Sequence, residues 1–273
     1  MRRLKNIWLV PGLLLVAFVA LAAWDVPPAP CGVVIGSGGG SEEPAAATCA
    51  DGCTATADAD VFCEDAEGSG ALCSGWATTT TGGTISFDST VNQNLFTHGG
   101  KGDQNIDIHT TSANDVYAKI ELPTASTEFY MSAWIIFDDI GLGEDEWAPF
   151  LTFRILGSGT DAVAIMYLGN HGDGNVIGVD DLETDDYYEG TSYLVEDTPY
   201  KIEFTYNSSN GAGSDIMKLV VNGTTMFNET GLTLSRQIQG LYIGDLGGYT
   251  DDPNFRFQIN SIKIDNDAMP ANN

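Results

Sequence analysis

The chain has little positive charge, with 11 Lys and Arg residues against 38 Asp and Glu residues and a formal net charge of −27 at pH 7. Nucleic-acid binding depends on cationic side chains that neutralise phosphates, so this balance argues against a nucleic-acid partner. The same reasoning weighs against anionic lipid and, less strongly, against polyuronate or sulfated glycans. The excess of carboxylates is typical of a soluble exported protein and is compatible with bound divalent cations.

The sequence also lacks a convincing amphipathic helix and any repeat of fixed period, which excludes helical bundles, propellers and solenoids. Its 43% hydrophobic and 10% aromatic content is enough for a packed core, so the chain is not a disordered one. From position 61 onward, short β-branched and aromatic runs alternate with clusters of Gly, Asn, Asp and Thr. This texture predicts an all-β sandwich or closed barrel.

The N-terminus carries an export signal. Three basic residues at positions 2, 3 and 5 precede the apolar stretch Ile7–Trp24, and Ala20-Leu21-Ala22 is typical of a signal-peptidase site. The apolar stretch also just reaches the length of a membrane span. Residues 1–24 are therefore predicted to be a signal peptide cut near Ala22 or, alternatively, an uncleaved anchor. Either way the protein is predicted to be secreted or held at the cell surface, contacting a membrane only through this segment.

All five cysteines lie in the first third of the chain, and an exported location favours disulfides. The simplest pairing joins Cys49 to Cys53 and Cys63 to Cys73, which leaves Cys31 free or available for an intermolecular disulfide. A zinc site is the weaker alternative, because this stretch contains no histidine.

Residues 25–60 are rich in Gly, Ser and Pro and are predicted to form a flexible linker with a small cystine knob. Residues 61–273 are predicted to form one domain. Within it, Val116–Leu122 and Tyr200–Asn207 alternate apolar and polar residues, as half-buried strands do. Asn222-Gly223 stands between two apolar runs, which is the strongest short signal for a β-hairpin.

The order of motifs in this domain resembles the concanavalin A-like, laminin-G-like jelly rolls of exported bacterial-type proteins. The similar segments are Phe62–Gly68 with Gly75-Trp76 at the front, the strand Phe129–Trp134, and the closing series LVVNG (219–223), LYIG (241–244) and INSIKI (259–264). The resemblance covers about 61–267 and implies an antiparallel β-sandwich. It is poorly specific for function, because this fold hosts lectins, glycosidases, lyases and adhesion modules.

The resemblance also implies a structural Ca²⁺ that joins the first and last strands. Its ligands would map to Glu64, Asp65 and Asn260, the last of which replaces the Asp of the family. An amide carbonyl still ligates Ca²⁺, although with less charge.

Sugar binding by such modules combines aromatic rings that stack on pyranoses with polar groups that bind hydroxyls. The candidates are aromatic or polar residues set among acidic or Gly-rich positions: Trp147, Asn170, His171, Tyr187, Tyr188 and Tyr249. Trp134 and the Phe-rich positions are expected in the core.

An enzyme on the same fold is the main alternative, although the sequence leans toward no catalysis. A polysaccharide lyase needs a Tyr or His as base and a cation beside the uronate, which directs attention to His109, His171, Tyr117 and Arg154. A glycosidase needs two facing carboxylates, and the nearest motif, Glu183-Thr184-Asp185, is interpreted as a solvated acidic loop.

The sequence therefore favours an exported carbohydrate-binding or adhesion module whose partner is a glycan. A polysaccharide lyase or glycoside hydrolase is the first alternative. A structural surface or filament subunit, assembled through Cys31 and the apolar N-terminus, is the second.

Overall fold

A computed structural model describes residues 62–64, 76–88, 105–111, 115–154, 162–190, 192–245, 255–267 and 269. These residues form fifteen β-strands and no helix. The strands are β1 Phe62–Glu64, β2 Ala77–Thr80, β3 Gly83–Asp88, β4 Asn105–Thr110, β5 Val116–Ser126, β6 Glu128–Asp139, β7 Glu146–Arg154, β8 Ala162–Asn170, β9 Asn175–Asp181, β10 Asp186–Glu189, β11 Tyr200–Asn207, β12 Asp215–Val221, β13 Thr224–Leu232, β14 Ile238–Asp245 and β15 Arg256–Asp265.

The strands form two antiparallel sheets. The eight-stranded sheet has the order β13-β12-β11-β6-β15-β4-β3, and β1 pairs with the second half of β15. The seven-stranded sheet has the order β10-β9-β8-β7-β14-β5-β2. The predicted all-β, antiparallel jelly-roll sandwich is therefore confirmed.

Apolar packing between the two sheets forms the core. Phe153 of β7 stacks on Phe204 of β11 with ring centroids 4.6 Å apart, and Phe137 of β6 meets Phe150 of β7 edge-on at 5.3 Å. Successive side chains of a regular strand point to opposite faces. Phe150 and Phe153 both face inward, although they stand three residues apart on β7, because this strand has a register shift between Pro149 and Leu151.

The predicted hairpin at Asn222-Gly223 is present between β12 and β13. Both residues have positive φ, 49° and 76°, as a type I′ turn requires. The Asn222 side chain adds a tertiary contact, because its Oδ1 accepts a hydrogen bond from the backbone N–H of Lys201 at 2.7 Å.

Two expectations about side-chain location were wrong. Trp134 is half-buried and stands on β6 between the core residues Ala133 and Ile135. Because side chains alternate along a strand, Trp134 points to the outer side of its sheet. Glu183 is not simply solvated. Its carboxylate accepts hydrogen bonds from the Ser235 and Arg236 backbone N–H groups and from the Tyr206 hydroxyl, which joins the β9–β10 turn to the segment before β14.

Several predictions fall outside the described residues and stay predictions: the signal or anchor segment 1–24, the linker 25–60, and the residues Cys31, Cys49, Cys53, Asp65, Cys73 and Tyr249. Cys63 and Glu64 lie in β1, opposite Lys263 and Ile262 of β15. Among the residues that the structure describes, no helix is long and apolar enough to cross a membrane.

The glycine at 244 allows a close approach between β14 and β5. Its φ is +115°, and a Cβ there would collide with the carbonyl oxygen of Val116. Gly211 has a similar positive φ of +86° but has open space around it.

We therefore expect Gly211→Ala to lower the free energy of unfolding by about 1–3 kcal/mol, through backbone strain alone. Gly244→Ala should cost about 2 kcal/mol more, because the neighbouring strand must also shift. Urea unfolding of both variants measures the difference. Equal losses would contradict the close approach of the two strands.

Candidate functional site

An open depression lies on the outer face of the seven-stranded sheet, where β7, β8, β9 and β10 lie side by side. Two glycines on this face, Gly169 and Gly178, leave room that side chains would otherwise fill. A Cβ on Gly178 would lie 2.5 Å from the hydroxyl oxygen of Tyr167, so the Tyr167 ring extends over the bare backbone of β9.

The depression has a volume of about 310 Å³ and is lined by aromatic, acidic and imidazole side chains. The lining residues are Asp145, Glu146, Trp147, Tyr167, Gly169, His171, Asp180, Tyr187 and Glu189. A concave site that combines apolar rings with convergent polar groups is the usual form of a small-ligand site.

Aromatic rings form one side of this site. Trp147 meets Tyr167 edge-on, with ring centroids 5.7 Å apart and an interplanar angle of 70°. Tyr187, on β10, is 72% exposed and so presents its ring to solvent. A large exposed ring at the rim of a cavity is a feature of ligand sites, because apolar side chains of this size are usually covered.

The carboxylate of Glu189 holds two of the other lining residues. Its Oε1 accepts a hydrogen bond from the Tyr167 hydroxyl at 2.8 Å, and His171 Nε2 lies 2.9 Å from the same oxygen. In the tautomer with its proton on Nε2, His171 donates a hydrogen bond to this oxygen. Burial, followed by the neighbouring Glu189, raises the pKa of Tyr167, so this phenol stays a donor at physiological pH.

Asp180 has a different environment. It lies on β9 opposite Tyr187, and partial burial raises its pKa, with further contributions from the charges of Asp185 and Asp181. A raised pKa means that the charged form is destabilised by its surroundings. The ionised carboxylate of Asp180 is therefore less stable in this site than in water.

The rim of the depression is built by two connected turns. Asn170 donates from Nδ2 to the Leu142 carbonyl at 2.8 Å and accepts the Gly172 N–H at 2.8 Å. The Asp145 N–H donates to the Asn170 carbonyl at 2.7 Å. Asn170 thus fixes the turns that carry Glu146 and His171.

The structure brings together three of the residues predicted to bind sugar, Trp147, His171 and Tyr187, since all three line the depression. Asn170 shapes the rim without lining it. The Tyr188 side chain points to the inner face of its sheet, opposite to that of Tyr187. It packs against Phe227 of the core, with ring centroids 5.5 Å apart.

The four residues considered for lyase chemistry do not form one site. Tyr117 lies 5.2 Å from the ring of Tyr242, and the Arg154 guanidinium lies 5.0 Å from the same ring, farther along the outer face of the seven-stranded sheet. His171 is in the depression. His109 is on β4 of the other sheet, opposite Arg256 of β15.

Asn260 is the third residue predicted to bind Ca²⁺, and both polar atoms of its side-chain amide form hydrogen bonds. Its Nδ2 donates to Asn105 Oδ1 at 2.9 Å, and its Oδ1 accepts the Ser261 N–H. No group of three or more His, Cys, Asp or Glu side chains suited to a metal occurs in the described ranges. Calcium stays a prediction.

Sequence reasoning missed Tyr167, Asp180 and Glu189. Tyr167 lies in β8, whose residues 162–169 are all buried, so no alternation shows which of them face outward. Asp180 and Glu189 stand in an acidic stretch that contains six Asp or Glu residues between 180 and 189, and nothing local distinguishes them. The available signal was one outward glycine on each of two neighbouring strands, Gly169 on β8 and Gly178 on β9.

The raised pKa of Asp180 predicts a stability change. The folded protein holds the proton of Asp180 more tightly than the unfolded chain does. The wild type therefore loses stability, relative to an uncharged variant, as pH rises through the folded pKa. We expect Asp180→Asn to have a higher urea midpoint at pH 7 and no advantage well below 3.8, the ordinary pKa of Asp. Asp186→Asn, at an exposed position, should change the midpoint less. A lower urea midpoint for Asp180→Asn than for the wild type at pH 7 would contradict the raised pKa of Asp180.

No protein-family model and no curated protein matches this chain in sequence.

Solved structures are similar in fold. A carbohydrate esterase from the Shiga toxin-encoding bacteriophage phi24B is 10% identical, with a TM-score of 0.51, covering 70% of this chain and 89% of that one. The alginate lyase Aly36B is 12% identical, with a TM-score of 0.48 and coverages of 72% and 99%. The carbohydrate recognition domain of Emp47p is 11% identical, with a TM-score of 0.46 and coverages of 76% and 96%. At these identities the likeness concerns the fold alone: this chain is similar to jelly-roll sandwiches.

Proposed function

We propose that the protein binds a glycan, and that the depression on the seven-stranded sheet is the binding site. The observation that supports this most is the combination of the exposed Tyr187 ring, the half-buried Trp147 ring and fixed polar groups in one concave site. Trp147 and Tyr187 offer faces on which a pyranose ring can stack, and Glu189, His171 and Asp180 offer hydrogen bonds to hydroxyl groups.

The polar groups are suited to hydroxyl recognition because they are held in place. Glu189 is fixed by two contacts of 2.8 and 2.9 Å, and His171 in turn is oriented by Glu189. Pre-organised groups lose little conformational entropy when a ligand binds. A sugar, whose hydroxyls both donate and accept, matches a site that mixes acceptors with a phenol and an imidazole.

The charge of the site favours a neutral glycan. Four carboxylates line it, from Asp145, Glu146, Asp180 and Glu189, and the whole chain carries a net charge of −27. A ligand with carboxylate or sulfate groups would be repelled by these side chains. The proposed ligand is therefore an uncharged polysaccharide, bound outside the cell in keeping with the predicted export.

The aromatic residues provide the test. Removing a stacked ring typically costs about 0.5–1.5 kcal/mol, which corresponds to roughly a 2- to 13-fold loss in affinity. We expect Trp147→Ala and Tyr187→Ala each to weaken retardation in affinity gels that contain a panel of neutral polysaccharides. Isothermal titration with oligosaccharides of the retarding polymer would give the change in Kd.

Tyr193→Ala is the matched control. Tyr193 is 55% exposed, so it is also a surface aromatic residue, but it does not line the depression. The variant should be retarded as the wild type is. If Trp147→Ala and Tyr187→Ala keep full retardation, or if no polysaccharide retards the wild type, glycan binding at this site is ruled out.

A further inference from the structure

Two cationic side chains converge on one tyrosine ring, on the outer face of the seven-stranded sheet but away from the depression. The Lys119 ammonium lies 5.7 Å from the centroid of the Tyr242 ring, and the Arg154 guanidinium carbon lies 5.0 Å from the same centroid. Both distances fall within the roughly 6 Å over which a ring attracts a cation. Tyr117 packs on Tyr242 with ring centroids 5.2 Å apart. We call these four residues the cationic cluster.

The pairing of three adjacent strands, β5, β14 and β7, brings the cluster together. Lys119 of β5 lies directly opposite Tyr242 of β14. Arg154 of β7 lies opposite Gly240 of β14, two residues before Tyr242. A glycine opposite Arg154 leaves room for the arginine side chain to extend over β14 to the Tyr242 ring.

The cluster is unusual in a chain that has 38 acidic residues and 11 basic ones. Elsewhere carboxylates neutralise the cations, since Lys201 pairs with Glu203 and Arg256 pairs with Asp107. In the described part of the chain, no carboxylate lies within ion-pair distance of Lys119, although this side chain is half-buried. A cation that has lost part of its hydration gains most from an anionic partner.

The polar groups of the cationic cluster are hydrogen-bond donors. An ammonium and a guanidinium donate hydrogen bonds and cannot accept them, and a phenol hydroxyl can donate to a charged acceptor. The guanidinium fork also matches the paired oxygens of a carboxylate. The complementary ligand is therefore an oxyanion, such as the carboxylate or sulfate group of an acidic sugar.

Thr152 gives independent support for a ligand at this place. It lies on β7 directly opposite Tyr242, and its neighbours Leu151 and Phe153 both face the core, so Thr152 faces outward with the cluster. Its hydroxyl oxygen is buried and has no hydrogen-bond partner among the residues that the structure describes. Buried hydroxyls are normally satisfied. This one can bind a ligand oxygen, directly or through a water molecule.

We propose that the cationic cluster binds the carboxylate or sulfate group of an acidic sugar. None of its four residues lines the depression, so this is a second site and does not depend on the proposed function. The outer face of the seven-stranded sheet thus holds two sites, one for neutral sugars and one for an acidic group.

The acidity of the whole chain does not exclude an oxyanion here, because salt screens distant charges. Glu146 and Arg154 are the first and last of the nine residues of β7, so they stand about 25 Å apart along the strand. The Debye length at physiological ionic strength is about 8 Å. Glu121 is a nearer carboxylate, because it is exposed on β5 and lies opposite Gly240, as Arg154 does. Its charge should weaken the binding of an anion.

The test uses the full chain in native gels that contain one of four polysaccharides. Polygalacturonate is compared with its methyl ester, and dextran sulfate is compared with dextran, so that each pair differs in the charge on its sugars. We expect at least one acidic polymer to retard the protein more than its neutral counterpart does, and high salt to abolish the difference. Retardation by polygalacturonate alone identifies a carboxylate ligand, and retardation by dextran sulfate alone identifies a sulfate ligand.

We expect Lys119→Gln and Arg154→Gln each to weaken binding of the acidic polymer about 5-fold, the upper end for a partly exposed ion pair. Glu121→Gln should strengthen it. Lys218→Gln is the matched control, because it removes the same charge from β12 of the other sheet and should bind as the wild type does. Urea unfolding of each variant shows that it is folded, and Lys119→Gln alone suffices if Arg154→Gln is not.

Three results would overturn the inference. If neither acidic polymer retards the protein more than its neutral counterpart, the cations only support the Tyr242 ring. Equal binding by Lys119→Gln and the wild type would place the anion elsewhere. An equal loss in Lys218→Gln would show that net charge is responsible. These results leave the depression untouched, because neutral polysaccharides with Trp147→Ala and Tyr187→Ala test it separately.

Discussion

Aromatic packing between the two sheets is the constraint on which the rest of the structure depends. The stacked pair Phe153 and Phe204 links β7 to β11 at 4.6 Å, and both rings are fully buried. A shift of one residue in either strand would send such a ring to solvent and bring a polar residue inside. Trp147 faces outward although it is an even number of residues from Phe153, because β7 has a register shift between Pro149 and Leu151. It then lies beside Tyr167, on the side where the depression forms.

The fold could be predicted where local signals are strong, and the site only in part. The sequence pointed to Trp147, His171 and Tyr187 but not to Tyr167, Asp180 and Glu189. Asn222-Gly223 specifies its hairpin through backbone geometry, and Tyr200–Asn207 shows a clear alternation. β8 offers no such contrast, because it is apolar and buried throughout. The contact between Tyr167 and Glu189 joins residues 22 positions apart through the order β8-β9-β10, and this order is a property of the sheet.

The neighbours Asp180 and Asp181 show how position in the sheet separates residues of identical chemistry. Asp181 is fully buried and stabilises the turn after β9, accepting hydrogen bonds from the Glu183 N–H at 3.0 Å and the Thr184 hydroxyl at 2.6 Å. Asp180 points to the opposite face and lines the depression. The sequence around Asp181 suggests its local role in the turn. Asp180 lines the depression only because β8 and β10 pair on either side of β9.

The pairing of β1 with β15 has a consequence for how the domain is connected. Phe62 lies opposite Ile264, so the first and last strands that the structure describes lie side by side. The depression is on the other sheet, away from both strands. A domain with adjacent ends can be placed within a loop of a host protein, or cut elsewhere and rejoined through a short peptide, without disturbing its core. Side-by-side first and last strands would let such a sandwich be inserted into a host protein with its open face turned away from the junction.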